Sequence, residues 1–295
     1  MIARASALAA FVLAAGLRSG VESSPAALRE VEIVGRDYAF AAPSEIAAGT
    51  MAFRFTNKGT VVHEMSVALL TKDTRAQQVV AALNAKQPLK PLIDSPVGIL
   101  FARPGQRSSV GLSTQLLAGR DYLVICSFQD SASTPMHARM GMVSVIHVSS
   151  APATMPAAKH VDTIVGTDYA FRAAPTLAPG RHTIAFMNAG SVKHEVNIAL
   201  LRPGVTLQQV FDIAKVDGDL NRQVEEWVGV LSSPAGRSPL GQLRVALLAG
   251  REYVLMCQFT NDDKSPSHLT LGMFGSIRAA ETMRTTAVDG RPPSR

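Results

Sequence analysis

Two sets of residues with the same types and the same spacing stand out in this 295-residue sequence. In each set a histidine precedes a cysteine, and the cysteine begins the pattern C-x10-H-x4-M. The sets are His63, Cys126, His137 and Met142, and His194, Cys257, His268 and Met273. A thiolate, two imidazoles and a thioether form a soft ligand set that suits copper. Magnesium prefers oxygen ligands, whereas zinc stays open as an alternative.

Each of these residues also has an ordinary structural explanation. A single cysteine that ends an apolar strand is more often a small buried hydrophobe, and a single methionine more often fills a core. The recurrence argues for metal, because four of the 7 histidines and both of the 2 cysteines fall in the two sets. We therefore predict one copper ion for each set, two in the chain, and no disulfide between Cys126 and Cys257.

The two sets belong to an internal repeat with an offset of 131 residues. IVGRDYAF at 33–40 recurs as IVGTDYAF at 164–171, and LLAGRDYLVIC ending at Cys126 recurs as LLAGREYVLMC ending at Cys257. The same offset relates all four pairs of candidate ligands. The repeat predicts two copies of one folding unit.

Each copy has the sequence pattern of a strand-rich sandwich. Residues 51–57 and 63–69 alternate between apolar and polar side chains, and glycine and proline punctuate the chain between such runs. Helical spacing occurs in RAQQVVAALNA, which we expect Thr74 to cap, and in LQQVFDIAKV, which we expect Thr206 to cap. We predict an all-β protein of two tandem Greek-key β-sandwich domains, each with one short helical insertion.

Composition sets the expected boundaries along the chain. A basic start and a short apolar run predict a signal peptide and leader at 1–24. The first domain is expected at 28–148, a Pro- and Ala-rich linker at 149–160, the second domain at 161–279 and a disordered tail at 280–295. The apolar run is too short to cross a bilayer. We therefore expect a periplasmic or secreted protein with no transmembrane segment in the mature chain.

The quoted segments resemble those of cupredoxins, the blue-copper domains of the plastocyanin, pseudoazurin and azurin type. HARMGMVSV at 137–145 and HLTLGMFGS at 268–276 are similar to the family's H-x4-M and last strand. NKGTVVHEM at 57–65 and NAGSVKHEV at 188–196 resemble its first-histidine segment. The resemblance implies a type 1 copper site in each copy, with the methionine as a weak axial ligand.

Two features depart from the family pattern. The family usually has few residues between its cysteine and the next histidine, whereas ten stand here, so we expect His137 and His268 to be placed less firmly. Glu64 and Glu195 follow the first histidine, where the family often has an asparagine. Either this side chain links the two ligand loops, or it faces solvent.

The leading functional expectation is one-electron transfer, with a redox partner protein or a copper donor or acceptor as the partner. Copper storage, delivery or resistance is the alternative, and a two-domain copper oxidase or nitrite reductase is less favoured. Those enzymes need further histidines, typically paired as HxH or HCH, and no such pair occurs, so we expect no enzyme. His147, His160 and His182 have no repeat counterparts and are interpreted as ordinary surface or loop histidines.

Charge adds little to this picture. The formal charge is +6, but the basic residues are scattered, and no nucleic-acid motif is present. We therefore expect no nucleic-acid partner.

Overall fold

The fold is described from a computed structural model. The residues described are 28–131, 133–153, 160–216, 218–262 and 264–282. The predicted signal peptide and leader at 1–24 lie outside them, as do residues 154–159 of the predicted linker and 283–295 of the predicted tail.

Strands make up most of the first repeat, as the alternating pattern predicts. One α-helix and two short 3-10 turns interrupt them. The elements are β1 (Arg29–Arg36), β2 (Ala39–Ala41), β3 (Glu45–Asn57), β4 (His63–Leu70), α1 (Ala76–Asn84), a 3-10 turn (Lys90–Leu92), β5 (Ile93–Ala102), β6 (Gly111–Leu116), β7 (Asp121–Ile125), a 3-10 turn (His137–Met140) and β8 (Val143–Ala153).

The second repeat follows the same order, except that the counterpart of β3 is divided into two strands and that residues 268–272 form a turn rather than a 3-10 turn. The elements are β9 (Asp162–Thr167), β10 (Ala170–Arg172), β11 (Thr176–Leu177), β12 (Gly180–Asn188), β13 (His194–Leu201), α2 (Leu207–Ala214), a 3-10 turn (Leu220–Arg222), β14 (Val224–Ser233), β15 (Gly241–Leu247), β16 (Glu252–Met256) and β17 (Phe274–Ala279).

The strands pair into a two-layered β-sandwich. One layer has the order β2-β1-β3-β6-β15-β12-β9-β10, and the other has the order β8-β7-β4-β5-β14-β13-β16-β17. Parallel pairing of β3 with β8 and of β11 with β17 connects the layers at their outer ends. Each layer therefore runs through both repeats.

The repeats meet along two pairs of strands. In one layer β6 pairs antiparallel with β15, and in the other β5 pairs antiparallel with β14 where Ile99 lies opposite Val230. We call this line of contact the seam. Apolar side chains from both repeats, such as Phe53 and Phe186, form one continuous buried cluster between the layers. The hydrophobic core therefore crosses the seam.

The structure differs from the sequence expectation at the predicted linker. Residues 149–153 are part of β8, because Ser149, Pro152 and Ala153 pair with β3. Proline is tolerated at such an edge, where its missing N–H removes no central ladder bond. The first part of the segment is therefore strand.

The two helical insertions form where expected, but only one has the predicted cap. Thr206 is the N-cap of α2, and its hydroxyl accepts a hydrogen bond from the backbone of Gln209. The N-cap of α1 is Arg75, so the prediction of Thr74 was wrong by one residue. Arg75 has no capping side chain, and its backbone N–H donates to Oε1 of Gln78 over 2.7 Å. Within the described residues no helix is long and apolar enough to cross a membrane.

Candidate metal centres

The fold brings His63, Cys126 and His137 together at one end of the first repeat. Their ligand atoms all lie within 4.8 Å of one another. The two Nδ1 atoms are 3.0 Å apart, and Sγ lies 3.9 Å from Nδ1 of His63 and 3.5 Å from Nδ1 of His137. All three residues are fully buried. We call this group the first centre.

The second repeat reproduces this geometry with His194, Cys257 and His268, which form the second centre. The two Nδ1 atoms are again 3.0 Å apart, and Sγ lies 3.9 Å and 3.4 Å from them. The three residues are fully buried, and neither cysteine forms a disulfide. Cys126 and Cys257 thus lie in separate centres.

A buried asparagine positions the first histidine of each centre. Asn57 ends β3, and its Nδ2 donates to the carbonyl oxygens of Val61 and Ala102 over 2.8 and 3.0 Å. These bonds fold the short loop that delivers His63 to the start of β4. Asn188 makes the equivalent bonds in the second repeat.

Backbone hydrogen bonds fold the long segment after Cys126 back onto the centre. The backbone N–H of His137 donates to the carbonyl oxygen of Phe128 over 2.9 Å. The backbone N–H of Cys126 donates to the carbonyl oxygen of Met142, and the backbone N–H of Met142 donates to the carbonyl oxygen of His137. These bonds connect His137 to the chain on both sides of the ten-residue insert.

Met142 and Met273 lie next to the centres and are fully buried. The methyl group of Met142 packs close to Gly35, where an added Cβ would lie only 3.1 Å away. Met273 has the same relation to Gly166. The repeat therefore keeps a buried methionine side chain in the same surroundings in both copies.

An aspartate hydrogen-bonds the outer nitrogen of the first histidine in each centre. Oδ1 of Asp37 lies 3.3 Å from Nε2 of His63, and Oδ1 of Asp168 lies 2.9 Å from Nε2 of His194. A carboxylate accepts here, so the Nε2 proton points outward and Nδ1 is left free to bind a metal. Gly59 permits this approach, because a Cβ there would clash with Asp37 and with the imidazole.

The outer nitrogen of the second histidine is also bonded, but its acceptor differs between the repeats. Oδ1 of Asp130 lies 3.1 Å from Nε2 of His137, whereas Oδ1 of Asn261 lies 3.0 Å from Nε2 of His268. The first centre thus carries one more carboxylate than the second.

A tyrosine covers the histidine edge of each centre. The rings of Tyr38 and His137 meet edge to face at 5.1 Å, as do those of Tyr169 and His268. Both tyrosines have left-handed backbone angles, with φ of 62° and 63°. Such angles are costly for a residue with a side chain, and strain of this kind collects at functional sites.

The glutamate after the first histidine links the two ligand loops. Oε1 of Glu64 accepts from the backbone of Ser127 over 2.9 Å, and Oε1 of Glu195 accepts from that of Gln258 over 3.2 Å. Burial raises the pKa of Glu64, and it raises the pKa of Glu195 to about 7. The sequence left open whether this glutamate links the ligand loops or faces solvent, and in the structure it links them.

Burial also dominates the titration of the two thiols without a metal. It raises the pKa of Cys126 to about 12 and that of Cys257 to about 11. Burial lowers the pKa of His63 and of His268, which favours the neutral imidazole that binds metals. A cation that binds thiolate strongly would displace the thiol proton.

The donor set and its burial fit copper. Two imidazole Nδ1 atoms and one sulfur atom converge in a fully buried site. This is the donor set of a type 1 copper site, and it occurs twice. The two buried His-Cys-His groups fit a cupredoxin-like protein with two type 1 copper sites, one in each repeat.

The solved structures that the chain matches, at low identity and low TM-score, include copper proteins. No protein-family model matches the chain, and no curated protein matches it. Reduced auracyanin from Roseiflexus castenholzii is 17% identical, with 42% of this chain and 98% of that chain covered and a TM-score of 0.29. A multicopper oxidase is 15% identical, with 86% and 89% covered and a TM-score of 0.26. Copper nitrite reductase from Nitrosomonas europaea is 12% identical, with 86% and 94% covered and a TM-score of 0.25.

These comparisons correct one expectation. We expected the chain not to be an enzyme, because the sequence has no HxH or HCH pair. The oxidase and the nitrite reductase each match over 86% of the chain, so the lack of that motif does not exclude an enzymatic role. At such low identities and TM-scores the matches carry no argument for a particular activity. The copper assignment rests on the chain's own His-Cys-His groups.

The sequence did not predict the residues that surround the ligands. Asp37 and Tyr38 lie in the repeated IVGxDYAF segment, which recurs with Asp168 and Tyr169. The presence of the same aspartate–tyrosine pair in both copies is the sequence signal that could have identified these residues. Each of the three histidines without a repeat counterpart contacts an aspartate. His147 contacts Asp121, and His160 and His182 both contact Asp162.

Proposed function

We propose that this protein carries single electrons through a type 1 copper site in each repeat. The buried His-Cys-His group, present twice with nearly the same distances, is the observation that supports this function. A firmly held ligand set limits the rearrangement that accompanies each change of copper oxidation state. Here backbone bonds, the Glu64 link and the outer hydrogen bonds of both histidines hold the ligands in place.

The proposal assigns a role to each predicted ligand. His63, Cys126 and His137 would bind the first copper in a trigonal plane, with Met142 as the weak axial ligand. The second copper would have the equivalent plane and axial ligand. Those residues are His194, Cys257, His268 and Met273.

The domain organisation and the location are part of the same proposal. Each repeat would be one Greek-key domain, with boundaries at 28–148 and 161–279, although the layers and the core continue across the seam. Export to the periplasm or the exterior is supported by the basic and apolar N-terminal sequence. The partner would be a redox protein or a copper donor or acceptor.

An optical spectrum of the full chain loaded with copper(II) tests the proposal. An intense thiolate-to-copper band in the visible range, lost on reduction and regained on oxidation, is the expected result. Copper retained only as a colourless copper(I) protein would instead support storage or delivery. Turnover of oxygen or nitrite by the same sample would show catalysis beyond electron transfer.

A further inference from the structure

A second group of histidine and carboxylate side chains lies outside the copper centres, where β9 and β12 run side by side. Asp162 begins β9 and pairs with Ile184 of β12 in parallel register. His160 and His182 each precede this pair by two residues, which is the spacing of side chains on one face of a strand. Both histidines therefore reach the single carboxylate of Asp162.

The carboxylate of Asp162 lies between the two imidazoles. Its Oδ1 is 3.3 Å from Nε2 of His160, and its Oδ2 is 2.7 Å from Nδ1 of His182. Nitrogen and oxygen ligands bind zinc at about 2.1 Å, so two neighbouring ligands lie about 3.0–3.4 Å apart. The separations of this group suit two ligands of one ion as well as they suit hydrogen bonds. Among the described residues, no lysine or arginine forms an ion pair with Asp162.

The ring of His182 has a hydrogen-bond acceptor at each of its two nitrogens. Nδ1 faces Asp162, and Nε2 lies 2.8 Å from the carbonyl oxygen of Ala178. A neutral imidazole carries one N–H, so it can donate to only one of these acceptors. When Nε2 donates to Ala178, Nδ1 is left to bind an ion that the carboxylate also binds, which is the usual arrangement of a ligand histidine. The alternative is a second ring proton, which would make the contact a plain ion pair.

The group combines two fixed side chains with one that can turn. The side chains of His182 and Asp162 are only 12% and 14% exposed, so packing holds them in place. The side chain of His160 is 84% exposed and can rotate without disturbing the core. An ion from solvent can therefore reach the two fixed ligands, and His160 can close over it.

The first repeat has the same backbone arrangement without these side chains. The three positions correspond there to Arg29, Val31 and Met51, none of which offers an imidazole or a carboxylate. Arg29 pairs with Met51 in the parallel register of β1 and β3, so the fold brings the same positions together in both repeats. The second repeat has a ligand-type residue at all three positions and the first at none. The group is therefore not a consequence of the shared fold.

We propose that His160, Asp162 and His182 bind one divalent transition-metal ion on the surface of the second repeat. Two imidazoles and a carboxylate suit ions such as zinc, nickel and copper(II), whereas magnesium and calcium prefer ligand sets made of oxygen. The three residues belong to neither copper centre. The site goes beyond the proposed electron transfer, and its failure and the failure of the copper assignment are separate results.

Calorimetric titration of the copper-loaded full chain with zinc tests this site. Copper fills the two buried centres, and zinc is colourless, so an unchanged visible band shows that the copper stays in place. At about pH 7.5, above the usual pKa of histidine, one zinc ion should bind per chain. A brief wash with EDTA should remove this ion and leave the buried copper, because the surface site is open to solvent at His160.

Matched variants test where the zinc binds. His182→Ala and the exposed His160→Ala should each weaken zinc binding at least about tenfold, the usual loss even for a residue that only supports a ligand. His147→Ala is the control, because His147 also contacts an aspartate but shares it with no second histidine among the described residues. The proposal would be overturned by the lack of saturable zinc binding, which would leave a plain ion pair. Wild-type affinity in both test variants, or an equal loss in the control, would overturn it too.

Discussion

The two centres have the same His-Cys-His residues, but they differ in the residue that hydrogen-bonds Nε2 of the second histidine. Asp130 accepts from His137 in the first repeat, and the neutral Asn261 takes this position in the second. A carboxylate bonded to a ligand imidazole makes it a stronger donor and favours the more highly charged metal ion. The first copper should therefore have the lower reduction potential.

Asp130→Asn should raise the reduction potential of the first centre. Removing one nearby negative charge is worth about 1 kcal/mol at a partly exposed position, or about 40 mV for a one-electron couple. Spectroelectrochemistry in a Cys257→Ser background isolates this centre. The reverse change, Asn261→Asp in a Cys126→Ser background, should lower the other potential, and equal potentials before and after both changes would contradict the argument.

Met142→Leu should leave copper in the first centre and raise its reduction potential. A thioether is a weak axial ligand, so its loss tunes the metal rather than releasing it. Met140→Leu is the matched control, because Met140 has no repeat counterpart and should leave the potential unchanged. Loss of copper from the Met142 variant, measured by metal analysis, would argue against an axial role.

At the scale of single elements, α2 offers the clearest test of local folding. The hydroxyl of Thr206 accepts from Gln209, and Oε1 of Gln209 accepts from the backbone of Thr206 over 2.8 Å. Thr206→Ala should cost about 1 kcal/mol of local stability and make amide hydrogen exchange in α2 about fivefold faster. Thr206→Ser should keep the wild-type rate. Unchanged exchange in the alanine variant would show that packing alone fixes the helix start.

The cap of α1 shows where sequence preference fails. Thr74 is the better capping residue, but Arg75 is the repeat counterpart of Thr206 and occupies the N-cap. The glutamine three residues further on explains this choice of N-cap. The side chain of Gln78 accepts from the backbone N–H of Arg75, just as the side chain of Gln209 accepts from that of Thr206. The register of the repeat was thus the stronger signal.

The two His-Cys-His groups could be predicted because each copy repeats their residue types and spacing. Their outer partners could not, because Asp37 reaches His63 only through the packing of the β1–β2 turn against the loop before β4. The strand-rich sandwich also follows from the alternating pattern. The extension of β8 over 149–153 could not be predicted, because it depends on pairing with an edge of β3 that the composition of the segment does not reveal.

At the scale of the whole molecule, the seam depends on close backbone approach. Gly241 starts β15, and a Cβ there would clash with the carbonyl oxygen of Val97 and lie 2.9 Å from the side chain of Leu112. From the sequence alone, Gly241 is only a glycine in a predicted strand. No pattern in the sequence indicates which strand edges of the two repeats meet.

Gly241→Ala should destabilise the protein by about 1–3 kcal/mol, the usual cost of overpacking where a backbone must move. Urea unfolding should show a lower midpoint. Gly275→Ala is the control, because an added Cβ there meets nothing within 4 Å. Equal midpoints for the two variants would mean that the seam is not tightly packed in solution.

The copper content of the full chain tests the central claim most directly. Metal analysis after loading and removal of excess ion should give two copper ions per chain, because each repeat holds its own His-Cys-His group. Cys126→Ser and Cys257→Ser should each reduce this to one and remove about half of the visible absorption. A single ion in the wild type, or a full signal in either variant, would contradict the assignment of one copper centre to each repeat.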